Sequence, residues 1–308
     1  MFTLSTKQKI FQIGNFRVGG QPGELPTLLI GNIFYKGMPE VLDHKKGIFD
    51  KMSVSKWIKS AETFSEKNGV PHCLDIMAMY PDAISNYIEF VIEQTSAPFF
   101  IDGANLETRK AGLETIKQLK LENRVIFNGI TPRTSMEELA AIRDSGVNIA
   151  VLMAFNELDY SSEGRISILQ GSIGKKGLFD MGKEAGIMSA LIDTIVFDVP
   201  SISYAAEAIF LVKKKLGYPS GCSPANATYA WRQAKKGSDL IGNFAASNAA
   251  AHSIVQYRGA DFLIYGPIKQ AKSMISACAI NDAIIAYHAM KHFGVKPLVR
   301  NHPLYRIF

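Results

Sequence analysis

PFFIDGANLETR, residues 98–109, decides how the chain folds. Phe99, Phe100 and Ile101 form a short apolar run, as expected of a strand buried on both faces. Asp102 ends that run, Gly103 follows, and a helical pattern begins. A carboxylate at the end of a buried strand is costly unless something polar pairs with it. Turns and helix N-caps also favour Asp, so one such residue is open to either reading. The device recurs, however. VIFNGI places Asn128 at the end of its apolar run, AVLMAFN ends on Asn156, SALIDT carries Asp193 and YPSGCSPAN carries Asn226. Small carboxylates and carboxamides at successive strand ends describe a polar ring around one mouth.

The chain has 308 residues, 47% of them hydrophobic and 20% charged, with a net charge of +6. That length suits a single (β/α)8 barrel, which typically needs about 250 residues. The expectation is one unit over 1–308, with 1–26 as an N-terminal cap. No segment approaches the ~20 apolar residues of a membrane span, and the N-terminus lacks the pattern of a signal peptide. Cys73, Cys222 and Cys278 are too widely spaced for a disulfide framework or a zinc site, so a cytoplasmic location is expected. The positive charge is modest and spread out. It reads as a solvated surface, or as attraction to an anionic ligand or acidic partner, without implying nucleic acid.

Taken in order, 1–26 is rich in Gly and Pro and reads as a hairpin closing the barrel's bottom. Buried runs follow at 27–35, 72–78, 98–102, 124–130, 148–155, 190–197, the PSGCS stretch and 261–267. Helices are expected from Ser53 (as N-cap) to Lys67, from Pro81 to Thr95, from Asn105 to Leu119, and from a capping-box spacing at Ser135–Glu138. Further helices are expected at 178–185, 202–216 and 271–292. A pair at 227–236 and 245–257 is extra for one unit. Residues 36–52 read as a loop, the polar 156–177 as a long interruption able to act as a lid, and 293–308 as a basic tail.

Eight apolar runs alternating with helices point to an α/β protein of the (β/α)8 TIM-barrel type, with the N-terminal cap and extra helices near strand seven. An open doubly wound sheet is the alternative. It is disfavoured because no Gly-x-Gly-x-x-Gly follows an early strand and the polar ends are spread over many strands.

Several long segments together resemble the H-subunit family of tetrahydromethanopterin S-methyltransferase: IGNFRVGGQPGELPTLLIGNIFY (13–35), GIFDK (47–51), PFFIDGANLETRKAG (98–112), LMAFN (152–156) and LIDT (191–194). Within that resemblance the chain looks most similar to the bacterial branch of methylcobalamin:tetrahydrofolate methyltransferases of glycine betaine metabolism. The resemblance implies a (β/α)8 barrel, a homodimer, and a mouth that holds a pterin and meets a separate corrinoid protein. In the wider pterin methyltransferases an Asp follows strand three, where this chain has Asp102. An Asn follows strand four, here Asn128, and an Asp ends strand six, here Asp193. After strand seven an Asn phrase maps onto Gly221–Asn226 with altered spacing, and Gly103-Ala104 replaces the usual Ser-Thr.

The expected chemistry follows from those types of residue. The pyrimidine edge of a reduced pterin presents an amide-like N–H and an exocyclic amine beside acceptors; carboxylates take adjacent donors and carboxamides match a donor–acceptor pair. Asp102, Asn128 and Asp193 are assigned to hold the ring, with Asn156 and Ser223 on the rim. Asn226, together with Asp193, is the catalytic candidate, because a carboxamide near N5 can turn over as that atom changes its proton. The implied reaction moves a methyl group from methylcobalamin to N5 of tetrahydrofolate in an SN2 step.

Other motifs carry less. Asp43-His44-Lys45-Lys46-Gly47 lacks the Asp-x-His-x-x-Gly spacing that anchors cobalamin, so the corrinoid is expected on a partner. Gly171–Gly177 is not a Walker loop. Cys222 has no neighbouring ligand, and no bound metal is expected. Lys213–Lys215 reads as the solvated, dipole-matched end of a helix, while Lys175, Lys176 or Arg165 could meet an anionic folate tail. Two further readings stay open here: the same transfer with tetrahydromethanopterin, as one component of a membrane complex, and a catalytically silent pterin-binding role.

Overall fold

The computed structural model describes residues 2–236 and 242–307. A hairpin comes first, β1 (Ile10–Ile13) with β2 (Phe16–Gly19), then the strand β3 (Leu28–Ile33). The expected loop at 36–52 instead carries a second hairpin, β4 (Val41–Asp43) with β5 (Ile48–Phe49). Helix α1 (Lys51–Asn68) starts earlier than expected. Its N-cap is Asp50, whose carboxylate accepts from the amides of Met52 and Ser53 and from the Ser53 hydroxyl. An ionised acceptor satisfies the free helix N–H groups better than the neighbouring serine.

The alternation then runs β6 (His72–Ala78), α2 (Pro81–Gln94), β7 (Phe99–Gly103), α3 (Leu106–Gln118), β8 (Val125–Ile130), α4 (Met136–Ser145) and β9 (Ile149–Met153). The expected 156–177 interruption contains α5 (Ser162–Gln170), which buries Ile166 and Leu169 and is capped by Ser161. Next come α6 (Leu178–Glu184), β10 (Ser189–Asp193), α7 (Ser201–Leu216) and β11 (Ser220–Cys222). The extra pair of helices is α8 (Pro224–Ala234) and α9 (Phe244–Tyr257), followed by β12 (Phe262–Pro267) and α10 (Ala271–Phe293). The tail adds α11 (Leu304–Ile307) and buries His302 and Leu304.

Strands β3 and β6–β12 pair in parallel and close into an eight-stranded barrel in chain order, with β12 returning to β3. The expected (β/α)8 architecture is therefore present. Ile13 and Val18 of the first hairpin pack with Leu28, Phe100, Ile149 and Phe262, which closes the N-terminal end of the lumen. Lys213, expected in solvent, is instead buried and fastens the cap. Its ammonium donates to Gly20 O at 2.9 Å and to both Asp261 oxygens at 2.6 and 2.7 Å.

Candidate functional site

Side chains alternate along a strand, so residues two apart share a face. Ile30, Cys73, Phe100, Ile126, Val151 and Leu191 fill the lumen. Two residues beyond each of them, toward the C-terminal mouth, stand Asn32, Asp75, Asp102, Asn128, Met153 and Asp193. The structure thus brings Asp102, Asn128 and Asp193 into one layer, and it adds Asp75 and Asn32. Sequence reasoning missed these two because they lie inside their apolar runs. Their parity with Cys73 and Ile30 was the available signal. On β11 the position beside Asp193 is Gly221, where a Cβ would lie 2.0 Å from the Phe262 carbonyl oxygen. Only a missing side chain allows that close approach.

The layer is short of partners. Asn128 donates through Nδ2 to Asp75 Oδ2 at 3.4 Å, but Asp75 Oδ1, Asn128 Oδ1 and Asn32 Oδ1 are buried with no hydrogen bond. Burial, and then the charge of Asp102, pushes the Asp75 carboxyl well above its ordinary range. Asp102 is raised to about 6 by burial, against the pull of the Arg109 guanidinium. Arg109 is itself held by Gly103 O at 3.1 Å and by Glu138 at 2.6 Å. Glu138 therefore serves Arg109, while Ser135 caps α4 by accepting from the Glu138 amide. Asp193 is raised to about 6, again by burial, with the Ile195 amide at 2.7 Å and Arg165 opposing. Ile195 makes that bond at φ 56°, a left-handed conformation that a β-branched residue adopts only under constraint. Arg165 is buried, and its Nη1 has no partner.

The rim is organised differently. Asn226 is exposed in the first turn of α8, its Oδ1 3.2 Å from the Ser223 hydroxyl, which also lies 3.1 Å from Ile264 O. Asn156 is tied into its own loop: Nδ2 donates to Gly164 O and Ser167 Oγ, and Oδ1 accepts from the Leu158 amide. Burial removes Arg165 from the groups that could meet an anionic tail, and Lys176 is paired with Glu184. His288 and His292 stand four apart on α10, a pair the expectation of no metal ligands passed over; their rings stack at 4.2 Å. Among the described residues no group of three or more His, Cys, Asp or Glu could hold a metal ion. No described helix is long and apolar enough to cross a membrane.

The closed (β/α)8 barrel thus carries buried, unpaired acceptors at its C-terminal mouth, the end where barrels of this type build their sites. Solved structures share the architecture. Dihydropteroate synthase of Xanthomonas albilineans matches with a TM-score of 0.60 at 16% identity, over 90% of this chain and 98% of that one. The Coxiella burnetii enzyme, solved with pteroic acid, matches with a TM-score of 0.60 at 14% identity, over 93% and 100%. These identities speak for the fold alone.

The sequence comparisons go further. The family described as tetrahydromethanopterin S-methyltransferase MtrH subunit matches residues 6–298. The H subunit of tetrahydromethanopterin S-methyltransferase from Methanothermobacter thermautotrophicus is 36% identical over 313 residues, covering 100% of both chains. The H subunit of the putative methyltransferase mtx from Methanosarcina barkeri is 32% identical over 309 residues, covering 99% of each. The chain belongs to the MtrH family of methyltransferases.

Proposed function

We propose that the chain transfers a methyl group between methylcobalamin, carried by a separate corrinoid protein, and N5 of a tetrahydropterin seated at the mouth of the barrel. The observation that carries this reading is the set of three buried oxygens without partners, on Asn32, Asp75 and Asn128. Unpaired buried acceptors cost free energy in the free protein, and a ligand edge rich in N–H donors would recover it. The expected pterin was tetrahydrofolate; the names of the relatives favour tetrahydromethanopterin, which we place first. The corrinoid, when its carrier docks, supplies an electrophilic methyl group. Asp102, Asp193 and Asn128 hold the pyrimidine edge with Asp75 and Asn32. Asn226 meets N5 and turns its amide as that atom gains and loses a proton. Ser223 fixes Asn226, and Asn156 shapes the rim. A homodimer in the cytoplasm belongs to the same proposal, as does a role in demethylating glycine betaine or a related methylamine if the pterin is a folate.

The test is an anaerobic spectrum of methylcobalamin mixed with the protein and each pterin in turn. Loss of methylcobalamin with formation of cobalt(I) supports transfer and names the acceptor. Tight pterin binding with no turnover, even with a corrinoid protein present, would replace this reading with a silent binding role.

A further inference from the structure

The polar layer is interrupted at β9, where Met153 takes the inward position. Directly beyond it, the loops leaving β9 and β10 carry Phe155, Tyr160 and Phe197. The Phe155 and Tyr160 rings lie 5.9 Å apart at 30°, nearly parallel. Phe197 meets both edge-on, 5.1 Å from Phe155 at 63° and 6.0 Å from Tyr160 at 84°. Two walls at a steep angle make a corner. Tyr160 is 57% exposed and Phe197 44%, so both residues keep surface in water. Such a corner suits one further flat ring, face against one wall and edge against the other.

Resting on the pterin reading above, we infer that Phe155, Tyr160 and Phe197 form the subsite for the aryl arm that a folate or methanopterin carries beyond its pteridine ring. Asn32, Asp75, Asp102 and Asn128, with Asp193 of β10, hold the pyrimidine edge, and that polar set is interrupted at Met153 of β9. An arm leaving the ring over that apolar gap crosses the lip where the aromatic corner stands. Three rings match the size of one aryl group, whereas a stable protein interface needs about 800 Å² from each partner. The arm is thus favoured over the docking of a carrier protein at this corner.

The experiment compares the binding of 6-methyltetrahydropterin, which lacks the arm, with tetrahydrofolate and tetrahydromethanopterin, by anaerobic calorimetry on the full chain. The armed pterin that this chain uses should bind about tenfold tighter than the bare one. Phe197→Ala and Tyr160→Ala should each abolish most of that difference and leave the affinity for 6-methyltetrahydropterin within about twofold, and Tyr160→Phe should restore it. Tyr160 lies on the surface, so its variants test the subsite without endangering the fold. Three results overturn the inference: an unchanged difference in the variants, a parallel loss for the bare pterin, or unchanged affinities with slower transfer from a carrier protein. Failure of the wild type to bind even the bare pterin would instead overturn the pterin reading itself, and the subsite with it.

Discussion

Asn128 donates to one oxygen of Asp75 across 3.4 Å and leaves the other oxygen of that carboxyl buried and bare. The pair is half of a hydrogen-bond network, and a half-satisfied buried network is costly. Asp75→Asn removes the unpaired acid while keeping its shape. The free protein should melt about 2 °C or more higher, and pterin affinity should fall about tenfold or more. Calorimetric melting and titration of the same preparation check both signs; lower stability with normal affinity would contradict the assignment.

Asp102 and Asp193 titrate near 6 in the folded chain, above the ordinary value of 3.8. Between those values the folded chain keeps protons that the unfolded chain has released, so their contribution to stability falls as pH rises through about 4 to 6. The buried His72, His252 and His302, held near 4, act in the opposite sense. The difference between wild type and Asp102→Asn therefore isolates the carboxyl: the variant should gain stability relative to wild type at pH 7 and lose that advantage at pH 4. Pterin binding, which needs charged acceptors, should strengthen as pH rises through 6.

Arg165 offers a cation to Asp193 without a direct ion pair. Arg165→Met should move the pH midpoint of pterin binding upward, and Arg165→Lys should restore part of the shift. A variant whose binding weakens equally at every pH would show only a packing role.

Asn226 stands exposed on the rim, clear of the buried layer. Asn226→Ala should slow methyl transfer at least tenfold, as loss of one positioned hydrogen-bonding group commonly does, and leave pterin affinity nearly intact. Asp102→Ala and Asp193→Ala should chiefly weaken binding. Separate measurements of single turnover and of equilibrium binding distinguish the two patterns.

Lys213 and Asp261 pair in the interior, far from the mouth. Lys213→Met strands a buried carboxylate and should cost about 3–5 kcal/mol of stability. Protein that remains folded should bind pterin normally. Denaturant titration alongside binding checks this.

The barrel was legible in the sequence because its strands are buried on both faces and end in turn-forming polar residues. Asp102, Asn128 and Asp193 could be placed because each interrupts an apolar run near its end. Asp75 and Asn32 were hidden inside HCLDIMA and LLIGNI, where only alternation measured from Cys73 and Ile30 exposes them. The α5 helix was hidden for another reason. Its nine residues have Gly and Ser in place of clear periodicity, and the buried Arg165 mimics a solvent-facing position. Asp50 outranked Ser53 as a cap because hydrogen-bond geometry, which composition does not show, decides between adjacent candidates.

The hairpin that seats Ile13 and Val18 against the packed lumen closes the N-terminal end of the barrel, and the polar layer meets solvent at the opposite mouth. On the proposed function, both reactants of a methyl transfer would share that one face. A pterin seated in the mouth would then lie beneath a docked carrier, and excess carrier should inhibit by covering an empty site.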